Sequence, residues 1–472
     1  MSLSALLITV AGVAFEDCRL RGADNLLRVD ARCGVLEVPV AHDAPEGESL
    51  ELRIARLPAR ERGADKPPIV MLAGGPGQAA TEAFVGHARA FTPIRRKHPL
   101  ILVDQRGTGG SGALDCPTEA AMAIETPESA RDWARECVTK LEEQGIDPAH
   151  YGTGAAVADL EAVREALGIE HWHLYGVSYG TRLAQEYLRR HEEHVAGFVL
   201  DGAVPVGEGI GPMIGPFAQR ALESMFERCA EDEKCAQAFP ELEAEFAELL
   251  DGLEEEPRQV AIRHPRSGQP ERIELTRDGV AQMVRLASYQ AEALSLVPLL
   301  VHRAAAEDDW EPLAGQVALM EIQAQGLLNP ALHYAVLCSE DRELGMRTDE
   351  GTAASYLGTG PTEMLAAICA EWPGAEAGGD FGESFTVDRE GVVLSGELDP
   401  VTPPVWGEQA AEMLGARHLE IRGKAHGVGH LGCLPRLLRD YFAEGDPDAM
   451  TTDCLEHMRP TPFFLDFSGP AP

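Results

Sequence analysis

Short apolar runs of strand length alternate with stretches of helical periodicity through the first 200 or so residues of the chain. CGVLEVPV, ELRIARLP, PPIVMLAG, PLILVDQ, HWHLYGV and GFVLDGAV are the strand candidates. The later runs are apolar without interruption, the pattern of parallel strands covered on both faces, whereas a half-exposed strand alternates. Between PLILVDQ and HWHLYGV, the segment AAVADLEAVREALG sets Val157, Leu160, Val163 and Leu167 at helical spacing and stops at Gly168. A helix is predicted there, closed by the glycine.

From about Gly207 to about Gly379 strand runs become rare and Glu- and Ala-rich helical stretches take over. The alternation resumes with EGVVLSGELDP, a helix-like PPVWGEQAAEMLG, the short strand RHLEIRG and an amphipathic helix LPRLLRDYFAEG. The pattern predicts an α/β fold with a mostly parallel central sheet, begun by residues 1–207, interrupted by a helical insertion over 208–380 and completed by 381–472. No internal repeat is visible.

Composition narrows the possibilities. With 472 residues, 44% of them hydrophobic and 25% charged, the chain can bury a large core. Its formal net charge of -37 repels phosphate backbones and anionic lipid, so neither nucleic acid nor membrane is expected as a partner. The opening MSLSALLITVAGVAF lacks a basic n-region and reads as a first strand. No run reaches the ~20 apolar residues of a membrane-spanning helix. The ten cysteines fall into neighbouring couples: Cys18 with Cys33, Cys116 with Cys137, Cys229 with Cys235, Cys338 with Cys369, and Cys433 with Cys454. Five local disulfides are the economical reading, a zinc site is disfavoured by spacing, and an oxidising compartment, periplasmic or extracellular, follows.

The chemistry centres on LYGVSYGTRL, where Ser178 lies between Gly176 and Gly180. A bare G-x-S-x-G is common, and an incidental glycine turn explains many instances. Here HWHLYGV supplies a strand before it and TRLAQEYLRRH a helix after it, the sharp strand-to-helix turn that needs small residues on either side of an exposed nucleophile. A serine hydroxyl needs a histidine to take its proton and an acid to hold that histidine. Asp399 follows the strand GVVLSGELD, and His426 follows HLEIRG in the loop KAHGVGH. Asp201 and Glu397 are rival acids and His430 a rival base. Oxyanion donors are expected from the N–H of Tyr179 and from the glycines Gly74 and Gly75 of LAGGPGQAA, beside the stiffening Pro76.

The G-x-G-x-x-G of DQRGTGGSG (Gly107, Gly109, Gly112) opens no clear helix, so a dinucleotide site is not expected. Asp104 and Arg106 in that loop read as structural.

Together, GGPGQ, DQRGTGGSG, GVSYGTR, GELDPVTPP and KAHG resemble the proline iminopeptidase and tripeptidyl aminopeptidase family of α/β-hydrolases. FEDC with ARCGVLEVP, VLCSED, and GCLPRLLRDYF with TTDCL are similar to its exported branch. The resemblance implies an α/β-hydrolase fold with a helical cap, a peptide substrate with a free N-terminus and no metal or organic cofactor. It also implies cap carboxylates for the substrate's α-amine, for which Glu340 and Asp341 are the candidates, a solvated pair beside Cys338 being the bland alternative. Ala73 stands where intracellular proline iminopeptidases carry histidine, which fits the tripeptidyl branch better. Competing readings are a carboxylesterase or lactone hydrolase on the same three residues, and a non-catalytic binding protein on a hydrolase scaffold. Oligomeric state and the number of residues released per cut are not legible.

Overall fold

A computed structural model describes residues 8–10, 12–22, 27–64, 66–117, 126–344, 354–374 and 378–470. Its strands in chain order are β1 (Ile8–Val10), β2 (Val13–Arg21), β3 (Arg28–Pro39), β4 (Ser49–Leu57), β5 (Ile69–Leu72), β6 (Leu100–Val103), β7 (Trp172–Val177), β8 (Val195–Asp201), β9 (Arg258–Arg263), β10 (Pro270–Leu275), β11 (Gly391–Gly396), β12 (Arg417–Ile421), β13 (Phe464–Asp466) and β14 (Gly469–Pro470). Ten of them form one sheet in the order β1-β2-β3-β4-β6-β5-β7-β8-β11-β12. From β6 to β12 neighbours run parallel, while β1 to β4, and β4 against β6, pair antiparallel.

The apolar runs explain the parallel half. Every residue of β5, β6 and β11 is buried, because helices cover both faces. One cover is the helix Thr153–Ala166, where Val157, Leu160 and Val163 face the core and Gly168 adopts φ 62 just past the end. The antiparallel half alternates instead, as in β2 with Val13 and Phe15 inward. The residues before position 8 and Ala11 in the expected first strand lie outside the described residues.

Between β8 and β11 the chain is mainly helical, and it also carries the hairpin β9–β10. That hairpin buries only Val260 and Ile262 of β9, too short an alternation to stand out within a helical stretch. This segment has a core of its own, which continues into Leu398 and Ala425, neighbours of Asp399 and His426. All five expected cysteine couples are joined, with Cα separations from 4.9 to 6.5 Å. No described helix is long and apolar enough to cross a membrane.

Candidate active site

Ser178 stands between the end of β7 and the helix Tyr179–His191, with φ 58 and ψ -128. A side chain other than glycine rarely takes this backbone conformation, and it persists only where the surroundings hold it. They do so here: Ser178 N–H donates to the Asp201 carbonyl at 2.9 Å, and the Ser178 carbonyl accepts from Thr181 N–H at 2.8 Å and from its hydroxyl at 2.6 Å. The flanking glycines are sterically required. A Cβ on Gly176 would strike the backbone of Gly180, and one on Gly180 would strike the Leu72 carbonyl on β5. The turn therefore projects the Ser178 side chain at the amino end of a helix, where the dipole favours negative charge. Its hydroxyl takes part in no hydrogen bond among the described residues.

The loop after β5 runs alongside. A Cβ on Gly74 would lie 2.8 Å from Ser178 Cβ and 3.0 Å from the Val177 carbonyl, so only glycine lets this backbone approach the serine so closely. Gly75 has φ 108 and joins Pro76 through a cis peptide. Two residues of the helical segment grip the loop: Asn329 N–H donates to the Gly77 carbonyl at 2.8 Å, and His333 Nδ1–H donates to the Pro76 carbonyl at 3.0 Å. Burial pushes the His333 imidazole down to about 4, against the pull of the Pro76 carbonyl and helped by Arg285. It is neutral near pH 7, with Nδ1 protonated toward Pro76 and Nε2 bare.

Asp399, fully buried, sits in a turn beyond β11. Its Oδ1 accepts from the N–H groups of Val401 (3.0 Å) and Thr402 (2.8 Å), while Oδ2 meets His426 Nδ1 and the Thr402 hydroxyl, both at 2.8 Å. Arg220 of the helix Ile214–Glu231 donates to the Asp399 carbonyl at 3.1 Å. His426 follows β12 and is held at its own N–H by the Tyr289 carbonyl, 3.2 Å away, with the Tyr289 ring edge-on at 5.2 Å. Burial lowers the affinity of His426 for a proton, but the Asp399 charge and hydrogen bond, with a smaller push from Asp201, raise it above the ordinary histidine value.

The rivals occupy other positions. Asp201 is 1% exposed and accepts from Val428 N–H (2.8 Å), Gly429 N–H (2.7 Å) and the Tyr175 hydroxyl (2.7 Å), so it braces the loop that carries His426. Glu397 accepts from Gly423 N–H at 2.5 Å. The His430 ring packs on His87 with centroids 4.0 Å apart. Asp104 accepts from Thr81 and Gly110, and the buried Arg106 pairs with Asp159, so both hold loops together.

Glu340 and Asp341, expected to meet a substrate amine, are turned inward at 1% and 0% exposure. Glu340 is paired with Arg182 at 2.9 Å and takes the Thr153 hydroxyl, and Asp341 accepts the N–H groups of Ile210 (3.0 Å) and Gly211 (2.7 Å). These buried carboxylates are already compensated and serve to fasten the segment after β8. His333, Tyr289, Arg220 and Thr402 were not singled out from sequence. Thr402 alone had a local signal, as the fourth residue of a turn that begins with an aspartate. Among the described residues no group of three or more His, Cys, Asp or Glu side chains is arranged to hold a metal ion.

Comparison with known proteins adds two family matches, one described as alpha/beta hydrolase fold over residues 67–310 and one as TAP-like protein over residues 354–454. The chain is 31% identical to the serine protease Hip1 of Mycobacterium tuberculosis over 207 residues, which cover 41% of this chain and 39% of that protein. It is 27% identical to carboxylesterase B of the same species over 471 residues, 92% of this chain and 88% of that one. To the tripeptidyl aminopeptidase of Streptomyces lividans it is 28% identical over 213 residues, 41% of this chain and 38% of the other.

Proposed function

Given that the chain belongs to the α/β-hydrolase fold family and is a serine hydrolase, we propose that it is a serine aminopeptidase cutting peptide bonds near a free N-terminus. The observation that carries the mechanism is the 2.8 Å contact of buried Asp399 with His426, at the carboxyl ends of β11 and β12, in the same parallel sheet whose β7 leads into the strained Ser178. In this reading Ser178 Oγ attacks the peptide carbonyl and His426 Nε2 takes its proton, while Asp399 keeps Nδ1 protonated and stabilises the imidazolium. The N–H groups of Tyr179 and Gly75, with Gly74 giving room, stabilise the oxyanion. His426 then protonates the departing amine, and water activated by the same imidazole hydrolyses the acyl-enzyme. Residues 208–380 act as a cap over Ser178. Cleavage near the N-terminus is supported by likeness to a tripeptidyl aminopeptidase and by the TAP-like match. Five disulfides support a periplasmic or secreted location.

A carboxylesterase is the second reading, favoured by the likeness to carboxylesterase B along 92% of the chain and by the internal commitment of Glu340 and Asp341. Hydrolysis of alanyl, prolyl and Ala-Ala-Pro naphthylamides, free or blocked at the amine, beside a p-nitrophenyl ester, separates the two. Amide cleavage that disappears on blocking and with Ser178→Ala supports the aminopeptidase. Ester turnover indifferent to the amine replaces it with the esterase.

A further inference from the structure

Beyond His426, on the Tyr289 ring that packs against it, stands an arginine, in a protein with 77 acidic and 40 basic side chains. Arg285, half-buried near the end of the helix Arg277–Ala287, has no carboxylate partner among the described residues. Its Nη2 donates to the Tyr289 hydroxyl at 3.2 Å, and its guanidinium lies 5.7 Å from the centre of the Tyr289 ring, the ring that packs edge-on against His426. Tyr356 is 8% exposed, and its hydroxyl has no partner among the described residues. Burial pushes the Tyr356 hydroxyl up, with the positive charge of Arg285 opposing that shift, and the same charge helps to lower His333. A guanidinium without a carboxylate partner and a buried phenol whose hydroxyl lacks a partner are groups that gain when a carboxylate arrives, since each carboxylate oxygen accepts more than one hydrogen bond.

We propose that Arg285, Tyr289 and Tyr356 form a subsite for a substrate carboxylate on the leaving-group side of the scissile bond. The side is set by His426, which hands its proton to the departing group and has Tyr289 packed on it. The carboxylate is either the C-terminus of a short peptide or an acidic side chain just past the cut. This deepens the serine hydrolase reading and rests on His426 acting as its base.

The test compares kcat/KM for Ala-Ala-Pro-Ala-Ala as the free acid and as the C-terminal amide, and for Ala-Ala-Pro-Asp-Ala-amide beside its Asn counterpart. 4-Acetoxybenzoate and 4-acetoxybenzamide, each corrected for its rate with hydroxide, serve as a pair that an esterase also cleaves. Wild type is expected to prefer the carboxylate member by about 10- to 100-fold, the size of a charge-assisted hydrogen bond. In Arg285→Met that ratio falls to about 1, and in Tyr356→Phe it falls several-fold, which a general loss of folding does not produce because both members share one enzyme. Preference confined to the first pair identifies the chain terminus, and Asp over Asn identifies the side chain. A wild-type ratio within about twofold for every pair, or a ratio that survives Arg285→Met, overturns the subsite. Turnover that persists in Ser178→Ala overturns the serine mechanism instead, and the ratios still report on the subsite.

Discussion

Replacing Asp399 and Asp201 separately by asparagine distinguishes the acid that works on His426 from the acid that holds its loop. In Asp399→Asn the oxygen can keep the Val401 and Thr402 amides, which places the new NH₂ against His426 Nδ1. The imidazole must then carry its proton on Nε2, where it cannot accept one from Ser178, and loss of such an acid costs about 10,000-fold in kcat. Asp201→Asn meets different neighbours. Its two oxygens accept Val428 N–H, Gly429 N–H and the Tyr175 hydroxyl, so an amide in place of either oxygen faces at least one buried N–H with nothing to accept it. That costs about 1–3 kcal/mol. At about 2.1 cal/mol/K per residue, unfolding 472 residues carries roughly 1 kcal/mol/K, so Tm falls by about 1–3 °C. The displaced loop costs about 10- to 100-fold in kcat.

The assay is kcat and kcat/KM on an aryl ester across pH, with Tm beside it. Because the folded pKa of His426 is raised, wild-type kcat/KM should fall on the acid side above the ordinary histidine value, since only neutral imidazole takes the serine proton. Asp399→Asn moves that limb to lower pH. The same raised value contributes stability that is full below the unfolded histidine pKa and is lost as pH rises through the folded one, so Asp399→Asn destabilises most on the acid side. The assignment is refuted if Asp201→Asn abolishes turnover without a change in Tm while Asp399→Asn keeps a tenth or more of it.

Gly180→Ala puts a methyl into the Leu72 carbonyl and should abolish soluble, folded protein or at least turnover, read by circular dichroism and ester hydrolysis. His333→Ala frees the Pro76 carbonyl and should lower kcat about tenfold, with His333→Asn restoring it because its amide N–H sits where Nδ1–H was, and His333→Gln not. Removing the Cys338–Cys369 bridge, across a separation of 31 residues, should cost about 3–4 kcal/mol, read as a lower denaturant midpoint. Full reduction of the native chain should add about ten hydrogens to its mass, two for each of five bridges.

How much was legible follows from the range of each signal. The parallel strands were plain because burial on both faces leaves uninterrupted apolar runs, and the turn at Ser178 because its glycines are demanded by neighbours within a few residues or on the adjoining strand. The cysteine couples were readable because each closes a loop of 31 residues or fewer. Glu340 misled because its partner Arg182 is 158 residues away, and sequence shows an acid without showing what already neutralises it. The roles of Tyr289, His333 and Arg220 had no local signature at all, since each depends on where a helix of the insertion comes to rest on the core. Asp201 was weighed as an acid for the right reason, its place at the end of a strand, but only the fold reveals that its oxygens are spent on the loop above it.

Those long-range contacts share a direction. His333 and Asn329 hold the loop of Gly75 to Gly77, the Tyr289 carbonyl holds the backbone of His426, and Arg220 holds the carbonyl of Asp399. Each loop expected to take part in the chemistry, apart from the serine turn itself, is thus pinned by a residue between β8 and β11. The hydrophobic core of that segment also runs on into Leu398 and Ala425, one residue before Asp399 and His426. A lid that merely selected substrates would contact the pocket and leave the loops to the sheet. Here the helical segment fixes the geometry of the proposed base, acid and oxyanion loop together, so substitutions at its contacts should lower kcat on small esters that never touch a specificity pocket. An effect confined to KM for longer substrates would instead mark the segment as a lid alone.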